Sequence, residues 1–69
     1  MKNRSEIDAQ YDAALKAFRI VSAKHNKVTL AYRDRTVGDA EFLASRAELR
    51  KAHEALDVAE AEYIAACNE

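Results

Sequence analysis

The chain has 69 residues, no proline, one glycine, one cysteine and a net charge of −1. That length allows one domain with a small core, a lone cysteine excludes an internal disulfide, and no apolar run approaches the ~20 residues that cross a bilayer as a helix. Alanine fills roughly a fifth of the positions and 33% are charged, which is the composition of solvated helices.

From Ile7 onward, apolar residues recur at alternating steps of four and three: Ile7, Tyr11, Ala14, Phe18, Val21, His25, Val28, Tyr32. This heptad stripe predicts a helix over about residues 4–34. His25 alone departs from the apolar pattern, and a polar residue in one core layer fixes register or oligomeric state at some cost in stability. Two residues are candidate caps at the start: Asn3, with Glu6 three places on, and Ser5, with Asp8 three places on.

The stripe breaks at Asp34-Arg35-Thr36-Val37-Gly38-Asp39, which predicts a turn at 35–38. Gly38 is the one residue there that takes unusual backbone angles without penalty. It is expected to be the N-cap of a second helix over about 39–67. Glu41 then falls where it reaches back to the cap's N–H, and Val37 and Phe42 bracket the cap as a hydrophobic staple. Asp39 and Glu41 place negative charge at the favourable end of the helix dipole.

The second helix repeats Phe42, Leu49, Leu56, Tyr63 at steps of seven, with Ser45, Ala52, Ala59, Ala66 between them. Folding at the turn matches positions whose numbers sum to about 74. Tyr32 then meets Phe42, His25 meets Leu49, Phe18 meets Leu56 and Tyr11 meets Tyr63. The intervening layers are Val28 with Ser45, Val21 with Ala52, Ala14 with Ala59 and Ile7 with Ala66. Branched side chains face small ones, so the helices approach closely. The expected fold is all-α: an antiparallel, coiled-coil-like two-helix hairpin forming a single unit over 1–69.

Two helices share one seam, which is too little core for comfortable stability at this length. Leu15, Ile20, Leu30, Leu43, Ala47, Val58 and Ile64 lie outside the seam and are the candidate partner or dimer surface. The expected assembly is a homodimer forming a four-helix bundle.

Charge is uneven. Residues 1–35 carry +4 and residues 36–69 carry −5. Lys16, Arg19, Lys27, Arg33 and Arg35, with Asn26 among them, form a candidate basic face on helix 1, the electrostatic footprint of a nucleic-acid binder. Against that use, the pI is acidic and Tyr11, Phe18 and Tyr32 sit on the core stripe, where they are unavailable to stack on bases. A solvated face that complements the acidic second helix is the plainer reading.

No constellation for chemistry emerges. His25 and His53 fall about one heptad apart, roughly 10 Å along the axis, while a zinc site needs about four convergent ligands. Neither Glu-x-x-His nor His-Glu-x-x-His occurs, and one glycine makes no phosphate-cradling loop. His53 and Asp57 read as a surface i, i+4 pair. Cys67 reads as a reduced thiol at a helix end, with an intermolecular disulfide as the alternative. No enzyme activity, metal or cofactor is expected. The lone cysteine, and a polar Met1–Ser5 segment without a secretory pattern, lead to an expectation of a cytoplasmic protein without a membrane anchor.

Helix count, helix length and a basic first helix resemble the ROP-type RNA-binding hairpin dimers. That resemblance is architectural; it implies a four-helix homodimer whose first helices touch RNA and assigns no residue roles. The segment Thr36-Val37-Gly38-Asp39-Ala40-Glu41-Phe42-Leu43 looks like the element that opens the second helix in many small helical hairpins. The alanine-rich, compact style resembles short phage and prophage proteins, which implies binding to a host protein. The leading expectation is therefore a non-catalytic, self-associating interaction or assembly module. A phage-type inhibitor or adaptor of a host protein, and an RNA- or DNA-binding hairpin dimer, are the alternatives.

Overall fold

The computed structural model describes residues 3–68 and shows two helices, α1 (Arg4–Arg33) and α2 (Asp39–Cys67), packed antiparallel as a rod of 50 × 16 × 14 Å. No strand occurs among the described residues.

Local chemistry sets each helix end. Asn3 is extended (φ −81°, ψ 170°) and its Oδ1 accepts the Glu6 N–H at 2.8 Å, a side-chain cap on an otherwise orphaned donor. Ser5 lies inside the helix and is not the cap. At the other end, the Arg35 N–H donates to the Tyr32 carbonyl (3.1 Å) and the Thr36 N–H to the Ala31 carbonyl (2.8 Å). This pair of bonds is a Schellman motif, which needs a left-handed residue after the C-cap. Arg35 fills that place at φ 62°, and the Thr36 hydroxyl donates a further bond to the Ala31 carbonyl (3.1 Å).

Gly38 is the N-cap of α2, as the sequence implies, but its backbone is ordinary (φ −90°, ψ 175°). A Cβ built there meets nothing within 4 Å. The unusual backbone belongs to Arg35, because α1 closes with a Schellman turn three residues earlier. Glu41 makes no hydrogen bond to the cap among the described residues; the cap carbonyl instead accepts the Phe42 N–H (3.1 Å).

The seam has two rows. In the bulky row, Tyr11, Phe18, His25 and Tyr32 of α1 run beside Phe42, Leu49, Leu56 and Tyr63 of α2. In the slim row, Ile7, Ala14, Val21 and Val28 run beside Ser45, Ala52, Ala59 and Ala66. Both end layers of the bulky row pair as matched: Tyr11 stacks on Tyr63 (centroids 4.9 Å) and Tyr32 on Phe42 (4.5 Å).

The middle of the seam departs from one-to-one matching. His25 Nδ1 and Ser45 Oγ are hydrogen-bonded at 2.9 Å, and the His25 ring tilts against Phe42 at 5.6 Å. Phe18 meets the edge of His53 at 5.7 Å. A knob enters a hole of four residues at i, i+3, i+4 and i+7 rather than facing one partner. For His25 that hole is 42, 45, 46 and 49, and the ring nitrogen finds its hydroxyl. For Phe18 it is 49, 52, 53 and 56, where His53 is one wall.

The slim row holds the most buried position of the seam among the described residues. Ala59, opposite Ala14, is the only described residue that is buried, at 2% exposure. The remaining seam residues are half-buried, and Tyr32 is exposed at 38%.

Candidate interaction surface

Helix periodicity divides the outside of the rod into flanks. Residues one and four places after each bulky-row residue lie beside that row. On α1 these are Asp12, Leu15, Arg19, Ser22, Asn26, Thr29 and Arg33, with Asp8 a heptad before Leu15. On α2 they are Leu43, Arg46, Arg50, His53, Asp57, Glu60 and Ile64. The ring contact of His53 with Phe18 places this flank directly.

Two shallow depressions open along it. One is lined by Leu43, Arg46, Ala47 and Arg50. The other is lined by Phe18, Arg46, Leu49, Arg50 and His53. Both contain Arg46 and Arg50, neither of which forms an ion pair among the described residues. Asp57 Oδ2 lies 3.2 Å from His53 Nδ1, as the i, i+4 spacing implied.

The seven candidate surface residues divide among the flanks. Leu15, Leu43 and Ile64 belong to the bulky-row flank, and Ala47 borders it. Ile20 and Val58 lie on the opposite flank, beside the slim row, among Ala13, Ala17 and Ala55. Leu30 is on the back of α1. Ile20, Leu30, Leu43, Val58 and Ile64 each keep at least half of their surface in water, whereas Leu15 and Ala47 are half-buried.

The candidate basic residues also divide. Arg19 and Arg33 line up with Asn26 on the bulky-row flank. Lys16 sits on the back, 3.8 Å from Asp12, and Lys27 lies on the slim-row side. Arg33 is 4.0 Å from Asp34, and Arg35 is in the turn. The cations that extend the Arg33 end of the flank come from α2, as Arg46 and Arg50. Sequence reading missed them by treating α2 as acidic throughout; the heptad Leu43, Arg46, Arg50, His53, Asp57, Glu60, Ile64 was the available signal.

At the turn end, Tyr32 Oη donates to Asp39 Oδ1 at 2.6 Å. That hydrogen bond, reinforced by the carboxylate's charge and slight desolvation, raises the Tyr32 phenol above its ordinary range. At the open end, Arg4 Nη2 donates to Cys67 Sγ at 3.6 Å, and the thiol is exposed. Among the described residues, no group of three or more His, Cys, Asp or Glu is placed to hold a metal ion, and no helix is long and apolar enough to cross a membrane.

Comparison with protein families, curated proteins and solved structures gives no match.

Proposed function

We propose that this chain is a non-catalytic assembly module that associates with a second copy of itself through helix faces, forming a four-helix bundle. The observation that carries the reading is the state of the seam: among the described residues Ala59 alone is buried, and every bulky-row side chain retains contact with water. A compact folded chain of this mass exposes about 4,300 Å², whereas the hairpin exposes 5349 Å². The excess is the surface that association removes from water, and its removal is the dominant favourable term in association.

Sedimentation equilibrium tests the proposal. The expected result is a dimer, with a melting temperature that rises with protein concentration, as mass action requires. A monomer at every concentration would reject it and turn attention to a foreign protein as occupant, in the manner of a phage-type adaptor. Nucleic-acid contact is a second reading, favoured by Arg46 and Arg50, which form no ion pair among the described residues and lie beside the Phe18 edge. It requires RNA or DNA binding that weakens steeply with salt.

A further inference from the structure

We infer that two copies dock through the bulky-row flank in an antiparallel sense, α1 on α1 and α2 on α2, with the two turns at opposite ends of the bundle. This rests on the self-association proposed above and specifies its face and direction.

Charge along the flank sets the direction of docking. Along α2 the flank reads Asp39, Leu43, Arg46, Arg50, His53, Asp57, Glu60, Ile64, Cys67, and its two ends, Asp39 and Cys67, face each other on reversal. Reversed about His53, the charged and apolar residues on either side of it meet complements. Leu43 faces Ile64 of the second copy, Arg46 faces Glu60, Arg50 faces Asp57, and His53 faces His53. Along α1 the flank has the opposite polarity, with Asp8 and Asp12 early and Arg33 late. Reversed about the point between Ile20 and Val21, Asp8 faces Arg33, Asp12 faces Thr29, Leu15 faces Asn26 and Arg19 faces Ser22. No like charges meet on either helix.

The two centres also coincide. The Tyr11–Tyr63 and Tyr32–Phe42 stacks fix the register of α1 against α2. In that register the Ile20–Val21 position lies level with His53 and Glu54. One two-fold axis across the rod therefore satisfies both helices at once, as a self-complementary interface requires. A parallel docking, with turns together, would stack α1 on α2 and bring Asp12 close to the level of Glu60, like charge on like.

The same face has the largest half-buried side chains. Phe18 and Leu49 line its depressions, so docking covers bulky apolar surface while the arginine–carboxylate pairs set direction. A face of a rod 50 × 16 Å has an area of about 800 Å², which matches what each partner contributes to a standard interface. The opposite flank offers no such reversal, since Glu48 and Glu62 would face each other about nearly the same axis.

Charge reversal tests this. Arg46→Glu/Arg50→Asp makes the α2 flank uniformly acidic, and Asp57→Arg/Glu60→Arg makes it uniformly basic. Each variant alone should dimerise at least about tenfold more weakly, while an equimolar mixture should recover dimerisation as a heterodimer. Helicity by circular dichroism checks that both variants fold. Independently, spin labels at Ala40→Cys in a Cys67→Ser background should lie about 40 Å apart. Labels within about 25 Å, roughly the width of two stacked hairpins, would overturn the antiparallel arrangement. So would a mixture no tighter than its components. Either result leaves a dimer standing, whereas a monomeric parent chain removes the underlying self-association as well.

Discussion

Arg35 holds a left-handed backbone that an L side chain adopts at a cost of roughly 1–2 kcal/mol, because the closing turn of α1 needs a residue there. Glycine is free of that strain but gains freedom in the unfolded chain, which offsets part of the benefit. Arg35→Gly should therefore stabilise the hairpin by roughly 0.5–1 kcal/mol, read as a higher urea midpoint at unchanged slope. A lower midpoint would show that the arginine side chain contributes more than its backbone costs. Tyr32 supplies a second test. Its folded-state phenol is raised by Asp39, so the contribution is fully present below the unfolded pKa of about 10. It is lost as pH climbs from there through the folded value. Ultraviolet titration should show the Tyr32 phenol ionising above the ordinary range for a tyrosine, and Asp39→Asn should lower it towards that range. The Arg35 turn was not legible in the sequence: Gly38 carried the usual mark of unusual backbone, and nothing about an arginine announces the left-handed region.

At the scale of the elements, what could be read was what repeats. A stripe sustained from Ile7 to Tyr32, and a second from Phe42 to Tyr63, left one way to fold, and the two outer aromatic stacks follow from it. The His25–Ser45 hydrogen bond and the Phe18–His53 contact were out of reach, because matching residue to residue ignores that each knob touches four neighbours. Leu56→Ala should cost about 2 kcal/mol, the low end for a leucine in a core, since Leu56 is half-buried. Chemical denaturation measures it, and a change below about 0.5 kcal/mol, the size of an ordinary surface substitution, would place Leu56 outside the seam. The candidate surface was only partly legible. Its apolar members could be named individually, but their separation onto opposite flanks depends on which row of the seam each adjoins.

For the whole molecule, folding rearranges the charge. The chain divides into a basic half of +4 and an acidic half of −5, which invites a picture of one positive and one negative helix. Antiparallel packing sets the end of α1 beside the start of α2, so the bulky-row flank is instead net basic towards the turn (Arg33, Arg46 and Arg50 against Asp39, which Tyr32 holds) and acidic towards the open end (Asp8, Asp12, Asp57, Glu60). Each helix has that polarity along its own flank, and the antiparallel register aligns the two in one direction. That polarity is also the property on which the docking direction rests, since exposed ion pairs contribute little energy individually but discriminate well between orientations.

The Arg4–Cys67 contact joins residues 63 positions apart in the chain. Any segment fused ahead of Asn3 or behind Asn68 thus departs from a single tip, leaving the hairpin bend free at the far extreme. If two such rods lie head to tail, their attachment points sit at opposite poles of a stiff spacer on the order of 50 Å long. Cargo tethered to one copy would be held clear of cargo on the other, a separation set by helix length rather than by any flexible linker.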